Sequence, residues 1–210
     1  MRKIFGAALL AAILASGSAN AGVIYSNFGA GNSYSCCIGY TISGSTSQGG
    51  EFTSPGNYDV NQIDLGLTNV LGGNSAVVNL WTESGGLPNS LLGSWNVSGQ
   101  PGFGAVSNVL TTIGGISGIS LTLGSNYFLT VAPGAADTWD AWNWNTIGEA
   151  GTIVANGGSG WSAFPDSTLP AFDVLGNQSS NVRVPEPGTL LLLLTAFAGL
   201  GTMRSRKAKA

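Results

Sequence analysis

The sequence predicts an all-β fold, an antiparallel β-sandwich or jelly roll, flanked by an N-terminal signal helix and a C-terminal hydrophobic helix. The 210 residues include 33 glycines, and only 8% are charged. A helical bundle needs charged surface helices and little glycine, so this composition disfavours one. Short apolar runs alternate with turn-forming clusters such as "GSTSQGG" and "ESGGLPNS", which is typical of antiparallel β-proteins.

Strand-like patterns occupy eight segments of the chain. They are Val23–Phe28, Tyr58–Thr68, Ala76–Thr82, Leu91–Val97, Ile116–Leu123, Asn126–Ala132, Thr152–Ala155 and Ala171–Leu175. Strand periodicity places Tyr127, Leu129 and Val131 on one face and their neighbours on the other. The apolar phase changes between Val60 and Ile63, which predicts a bulge or a bend near Asn61 and Gln62.

The first 21 residues have the pattern of a secretory signal peptide. Arg2 and Lys3 precede an apolar run over residues 4–15, which is too short to span a bilayer comfortably. Ala19 and Ala21 supply the small residues that a signal peptidase recognises, so we expect cleavage after Ala21. An uncleaved membrane anchor is the alternative.

The C-terminal segment combines a short motif, an apolar stretch and a basic end. As a helix, residues 189–203 would span about 22 Å, less than the roughly 30 Å of a hydrocarbon core. The basic residues of the 204–210 tail would stay cytoplasmic, which places the body on the far side of the membrane. Pro185 and Pro187 keep the upstream segment extended and open to a protease.

These three parts resemble the PEP-CTERM sorting signal of Gram-negative bacteria, here residues 183–210 with the motif at 184–189. The resemblance implies that exosortase, a membrane-embedded transpeptidase-like protease, removes the tail near Pro185, Glu186 and Pro187. Before this cleavage the precursor would lie transiently in the inner membrane through its C-terminal helix. After it, the body would reach the cell surface or the exopolysaccharide matrix. A plain C-terminal membrane anchor is the alternative, and it also places the body outside.

The body, residues 22–182, resembles the choice-of-anchor type of domain. The matching stretches include "NFGAGNSY", "FTSPGNYDVNQIDLGL", "VVNLWTESGGLPNSLLGSW" and "NYFLTVAP". The resemblance implies a β-sandwich of unknown molecular activity, and it assigns no catalytic residue.

Charge and residue types exclude several functions. All seven Lys and Arg residues lie at the two ends, while nine of the ten acidic residues lie between Lys3 and Arg183. Nucleic-acid binding is therefore not expected. The chain has no His, so Ser-His-Asp and Cys-His catalytic arrangements are absent. No phosphate-binding loop or cofactor motif occurs. A carboxylate pair for glycoside hydrolysis stays open, but no pattern selects two acids.

Cys36 and Cys37 are adjacent, and several states of the pair are open. Adjacent Cα atoms lie about 3.8 Å apart, below the usual disulfide range. Two small residues in a strand or turn, with one or both thiols free, are the leading interpretation. A vicinal disulfide and intermolecular pairing are the alternatives, and metal binding is the weakest.

The stretch "DTWDAWNWN" is the most distinctive part of the interior. On one strand face, Trp142 and Trp144 could stack on sugar rings, although large aromatic residues more often pack in a core. Asp137 and Asp140 are weak candidates for Ca²⁺ ligands, because their spacing does not match an EF-hand loop.

The sequence thus predicts a secreted, non-catalytic surface or matrix protein with signal peptidase and exosortase as its partners during export. A carbohydrate-binding module acting in the exopolysaccharide matrix, and an extracellular glycosidase, are the two alternative functions.

Overall fold

The computed structural model describes residues 22–179, and every regular element within that range is a β-strand. The strands are β1 (Gly22–Ser26), β2 (Tyr34–Ser43), β3 (Ser47–Thr53), β4 (Tyr58–Leu65), β5 (Leu67–Leu71), β6 (Ser75–Ser84), β7 (Leu87–Ser98), β8 (Thr111–Gly114), β9 (Ser120–Leu121), β10 (Asn126–Pro133), β11 (Trp139–Asn145), β12 (Ala150–Asn156), β13 (Trp161–Thr168) and β14 (Phe172–Gln178). Within residues 22–179 there is no helix long and apolar enough to cross a membrane. The predicted terminal helices, with Ala19, Ala21, Pro185, Glu186 and Pro187, lie outside the described residues.

The strands form three antiparallel sheets. A five-stranded sheet has the order β1-β14-β4-β8, with β9 also paired to β4. A six-stranded sheet has the order β13-β12-β3-β10-β6-β7, and a three-stranded sheet has the order β2-β11-β5. The first and last strands of the domain are neighbours, since Gly22 lies opposite Gly176.

One hydrophobic core joins the three sheets, which confirms the predicted all-β antiparallel class. Ile63 and Val174 come from the five-stranded sheet, Leu129 from the six-stranded sheet, and Ile42 and Trp142 from the three-stranded sheet, and all five side chains are fully buried. Each sheet therefore buries one apolar face against the others, as in layered β-proteins.

Two detailed predictions of the sequence are confirmed. Tyr127, Leu129 and Val131 of β10 all belong to the core cluster, as strand periodicity requires. In the β14–β4 pairing, Leu175 lies opposite Gln62 and the next residue lies opposite Val60, so Asn61 is the extra residue of a bulge. The bulge lets β4 keep apolar side chains on the core face on both sides of Asn61.

Other strand predictions differ from the structure. The predicted strand 58–68 divides at Gly66 into β4 and β5. A Cβ at Gly66 would lie 2.9 Å from Cγ of Tyr34, so the chain passes this ring only as glycine. Of the predicted strand 116–123, only Ser120 and Leu121 pair, although Ile116 and Ile119 still bury their side chains in the core.

Four strands, β2, β3, β8 and β13, lie outside the predicted strand segments, and β11 was expected only if its stretch is extended. β3 contains the pair Gly49 and Gly50, which supply no apolar pattern. β13 contains Pro165, which a strand tolerates at a sheet edge, and β13 is an edge strand of the six-stranded sheet.

A buried amide holds the chain entering β14. The side chain of Asn27 is fully buried; its Nδ2 donates to the carbonyl of Pro170 at 2.8 Å, and its Oδ1 accepts from the backbone N–H of Phe172 at 2.8 Å. Both amide groups are thereby satisfied, which offsets the cost of burying them.

Candidate functional site

Cys36 and Cys37 form a vicinal disulfide on β2, with their Cα atoms 3.1 Å apart and a cis peptide bond between them. The structure therefore differs from the free-thiol interpretation, and neither cysteine is free. Cys36 is half-buried and packs beside the small cluster of Phe28, Tyr34 and Ala171, whereas Cys37 is exposed.

Trp142 and Trp144 do not form a sugar-stacking platform. Trp142 is fully buried in the core, where its Nε1 donates to the carbonyl of Ala171 at 2.9 Å and its ring lies 5.8 Å from that of Phe172. Trp144 is half-buried against Tyr40, with ring centroids 5.9 Å apart. The paired-Trp hypothesis is wrong because a fully buried indole offers no face to a ligand.

Asp137 and Asp140, the weak candidates for Ca²⁺ ligands, lie in different environments. Asp137 is exposed, whereas Asp140 is fully buried and its Oδ1 accepts from Nδ2 of Asn69 at 2.8 Å. Burial raises the pKa of Asp140 to about 6, against the opposing effect of the Asn69 hydrogen bond. No group of three or more His, Cys, Asp or Glu side chains suited to a metal ion occurs in the described part of the chain.

Two carboxylates that the sequence did not pair line one open cleft. The cleft has a volume of about 340 Å³ and lies where β1, β3 and the start of β12 meet. Its wall includes Phe52, and its hydrogen-bonding side chains are those of Tyr25, Glu51, Thr53, Asn126, Glu149 and Thr152. We call it the Tyr25 cleft.

Aromatic packing fixes the phenol of Tyr25 in this cleft. Its ring lies 4.8 Å from the ring of Phe172 and 5.4 Å from that of Phe52. Its hydroxyl donates to Oε1 of Glu149 at 3.1 Å. Burial, together with the nearby charge of Glu149, raises the pKa of Tyr25, so the phenol stays protonated and remains a donor.

The backbone of Glu149 is held by Asn145, which is buried at the end of β11. Nδ2 of Asn145 donates to the carbonyls of Glu149 at 2.7 Å and Leu169 at 2.8 Å. Its Oδ1 accepts from the N–H of Glu149 at 2.9 Å. The Glu149 carboxylate is therefore positioned by a rigid strand end and by the Tyr25 hydroxyl.

Replacing Asn145 by alanine should free this segment. The substitution removes the partner of the Glu149 N–H and one of the two hydrogen bonds to the Glu149 carbonyl, which still accepts from the N–H of Leu169. The unpartnered N–H costs roughly 1–3 kcal/mol. We expect faster amide hydrogen exchange at residues 146–151 than in the unmodified protein, measured by mass spectrometry. Asn156→Ala is the control, because Asn156 accepts from Gly158 and Gly160 in an exposed turn. Equal exchange at residues 146–151 in both variants would show that Asn145 does not hold the segment.

A second cleft shares Asn126 with the first. It has a volume of about 330 Å³ and is lined by Thr82, Glu83, residues 124–125, Asn126 and Tyr127. Asn126 lines both clefts, and its Oδ1 accepts from the hydroxyl of Thr53 at 2.7 Å. We call the two clefts together the Asn126 groove; it crosses the ends of β3, β10 and β6, which are neighbours in one sheet.

A different pair of carboxyl groups, Asp64 and Asp173, lies away from the groove. The two residues lie opposite each other in the β4–β14 pairing and are 5% and 7% exposed. Asp64 accepts from Nε2 of Gln62 at 2.7 Å and from the hydroxyl of Thr112. Burial, followed by the neighbouring charge of Asp64, raises the pKa of Asp173 to about 7, so about half of the Asp173 carboxyl groups are protonated at neutral pH.

Sequence reasoning missed the groove because its carboxylates are distant in the chain. Glu51 lies on β3 and Glu149 directly precedes β12, and the pairing of these two strands brings the segments together. No spacing or motif links them, since a β-fold built from distant strands sets no fixed interval between the residues that share a site.

Comparisons with known proteins found no match in sequence and a weak similarity in structure. No protein-family model matches it, and no curated protein matches it in sequence. Among solved structures, it is similar to "The crystal structure of the cysteine protease and lectin-like domains of Cwp84, a surface layer associated protein of Clostridium difficile", at 12% identity and a TM-score of 0.42. That match covers 63% of this chain and 32% of the other. A likeness at this level does not extend to residues or to activity.

Proposed function

We propose that the chain is the precursor of a secreted, non-catalytic β-domain that acts at the surface or in the extracellular matrix of a Gram-negative bacterium. Signal peptidase removes residues 1–21, and an exosortase-type enzyme removes the tail near Pro185, Glu186 and Pro187. The body, residues 22–182, is the mature product.

The observation that carries this proposal is the position of the folded domain between the two sorting signals. β1 begins at Gly22, directly after the predicted signal-peptide cut. β14 ends at Gln178, a few residues before Arg183, and it pairs with both β1 and β4. Cleavage at both signals would therefore leave every strand of the three sheets in place.

The residue types of the domain support a binding or structural role over catalysis. Within residues 22–179 there is no His, Lys or Arg, so the common general bases, apart from carboxylates, are absent. Trp142, Asn143 and Asn145 are buried and make hydrogen bonds within the fold. Their positions support a structural role for this stretch of β11.

Alanine substitution of the tail motif should stop release of the protein. In a host with exosortase, the triple variant P185A/E186A/P187A should stay in the membrane fraction with its tail attached. The unmodified chain should appear outside the cell without residues 1–21 and without the apolar segment 189–203. Intact mass spectrometry of both fractions measures each outcome.

Pro55→Ala is the matched control for that experiment, since Pro55 lies in an exposed turn of the domain. It should be processed as the unmodified chain is. Extracellular protein that keeps residues 189–210, or a triple variant that is trimmed normally, would contradict the proposal.

A further inference from the structure

We propose that the Asn126 groove binds an uncharged polysaccharide through its hydroxyl groups. The inference rests on the proposed function only for the source of the ligand, since an extracellular matrix supplies such polymers. It assigns the binding to Glu51, Asn126 and Glu149 instead of the two tryptophans of β11.

The side chains of the groove match the hydrogen-bonding needs of a sugar. Carboxylates accept from hydroxyl groups, and the Asn126 amide can both donate and accept. Hydrogen bonds to charged groups are the stronger ones. The carboxylate of Glu51 is half-exposed and makes no hydrogen bond with another side chain or backbone group of residues 22–179. It is therefore free to accept from a ligand.

The charge of the domain selects against acidic ligands. The described residues carry nine carboxyl groups and no Lys, Arg or His. A phosphate, sulfate or uronate in the groove would approach Glu51, Glu149 and Glu83 without any cation to pair with it. Like charges brought together at short range are repelled, and this repulsion grows where water is displaced. A neutral polyol avoids that cost.

The groove is held in place before a ligand arrives. Glu149 is fixed by Asn145 and by the Tyr25 hydroxyl, and Thr53 donates to Asn126. Glu83 in the second cleft accepts from the N–H of Gly86 at 2.6 Å. Side chains that are already ordered lose little conformational entropy on binding, which favours even a polar and shallow site.

The length of the groove favours a polymer over a single sugar. Adjacent strands lie about 4.8 Å apart, so the ends of β3, β10 and β6 span roughly 10 Å between the outer two. The two clefts are each near the lower limit of ordinary ligand pockets. Asn126 joins them, so a ligand that fills both must extend along this line.

The test is affinity electrophoresis of the purified full chain in native gels that contain a soluble polysaccharide. Dextran and galactomannan are the uncharged probes, and polygalacturonate is the acidic one. We expect at least one of the two uncharged probes to retard the protein, whereas polygalacturonate should not. Glu51→Gln should weaken the retardation by about tenfold in apparent affinity, the loss of one hydrogen bond to a charged group.

Asp137→Asn is the control variant, because Asp137 is exposed and lines neither cleft. It should bind as the unmodified chain does. Circular dichroism checks that Glu51→Gln is folded, and Glu149→Gln gives an independent second variant. Absence of retardation by both uncharged probes, equal binding of polygalacturonate, or undiminished binding by both variants would overturn the assignment.

Hydrolysis is measured in the same reactions by the release of reducing ends. Release that Glu51→Gln and Glu149→Gln abolish would mean that the two carboxylates are catalytic, and it would overturn the binding proposal in favour of a glycosidase. None of these outcomes depends on export. A failure of the tail experiment would leave this result standing, and the reverse also holds.

Discussion

Replacing Trp142 by alanine should destabilise the domain by about 3–5 kcal/mol. Trp142 is the largest of the fully buried side chains, and it lies on the central strand of the three-stranded sheet. The substitution removes an indole packed against Phe172 and its hydrogen bond to the carbonyl of Ala171. A loss of this size is a large share of the 5–15 kcal/mol that stabilises a typical domain.

Urea denaturation followed by circular dichroism measures the loss, and Trp139→Ala is its control. Trp139 lies three residues earlier on the same strand and is 44% exposed, so its removal should cost less than about 1 kcal/mol. Trp142→Phe should fall between the two and keeps the test valid if the alanine variant does not fold. Equal stabilities of the Trp142 and Trp139 variants would contradict the buried position of Trp142.

Asp173→Asn should stabilise the domain at neutral pH and reduce the pH dependence of its stability. The pKa of Asp173 is about 7 in the folded state and 3.8 without the fold. Between these values the folded protein holds a proton that the unfolded chain has released, so stability falls as pH rises from about 4 to about 7. A shift of this size corresponds to a total loss of roughly 4 kcal/mol.

Among residues 22–179 there is no Lys, Arg or His that could offset this loss. Asp64 faces Asp173 from β4, Ser26 lies opposite it on β1, and Thr112 of β8 donates to Asp64. An asparagine at 173 carries no charge at any pH and can donate to Asp64. The repulsion between two carboxylates then cannot develop above pH 7.

Denaturant titrations at pH 5, 6, 7 and 8 measure this prediction. The unmodified protein should lose stability over that range, and Asp173→Asn should lose distinctly less. Part of the slope should persist, because burial also raises the pKa of Asp140, to about 6. Asp137→Asn, an exposed control, should follow the unmodified protein. A parallel pH dependence in Asp173→Asn would show that Asp173 does not hold a proton in the folded protein.

The sequence predicted the parts of the fold whose side chains alternate clearly. The alternation in β10 predicts its apolar face, and the phase change around Asn61 predicts the irregularity in β4. The core face of β10 and the bulge in β4 therefore both follow from periodicity alone. β3 and β2 carry Gly, Ser and Cys at positions where an apolar pattern would appear, and their strand structure depends on neighbours distant in the chain.

The groove could not be predicted because its residues come together only through sheet pairing. Glu51, Asn126 and Glu149 lie in three separate segments, and no local rule selects them over Asp59 or Asp166. Conversely, the large and polar residues of "DTWDAWNWN" suggested a ligand site. In the structure they pack the core and make hydrogen bonds within the central strand of the three-stranded sheet. Trp142 fills the core, and Asn143 donates to Thr68 at 3.0 Å and to the carbonyl of Gly66 at 2.8 Å.

The pairing of β1 with β14 also sets an order of events during synthesis. A ribosome makes Gly22 first, yet its partner Gly176 is added more than a hundred residues later. Closing so long a loop carries an entropic penalty that only late contacts repay, so sheets of this connectivity assemble slowly. β1 therefore cannot pair with β14 until nearly the whole domain has been synthesised, and the five-stranded sheet is completed only after β14 has been added.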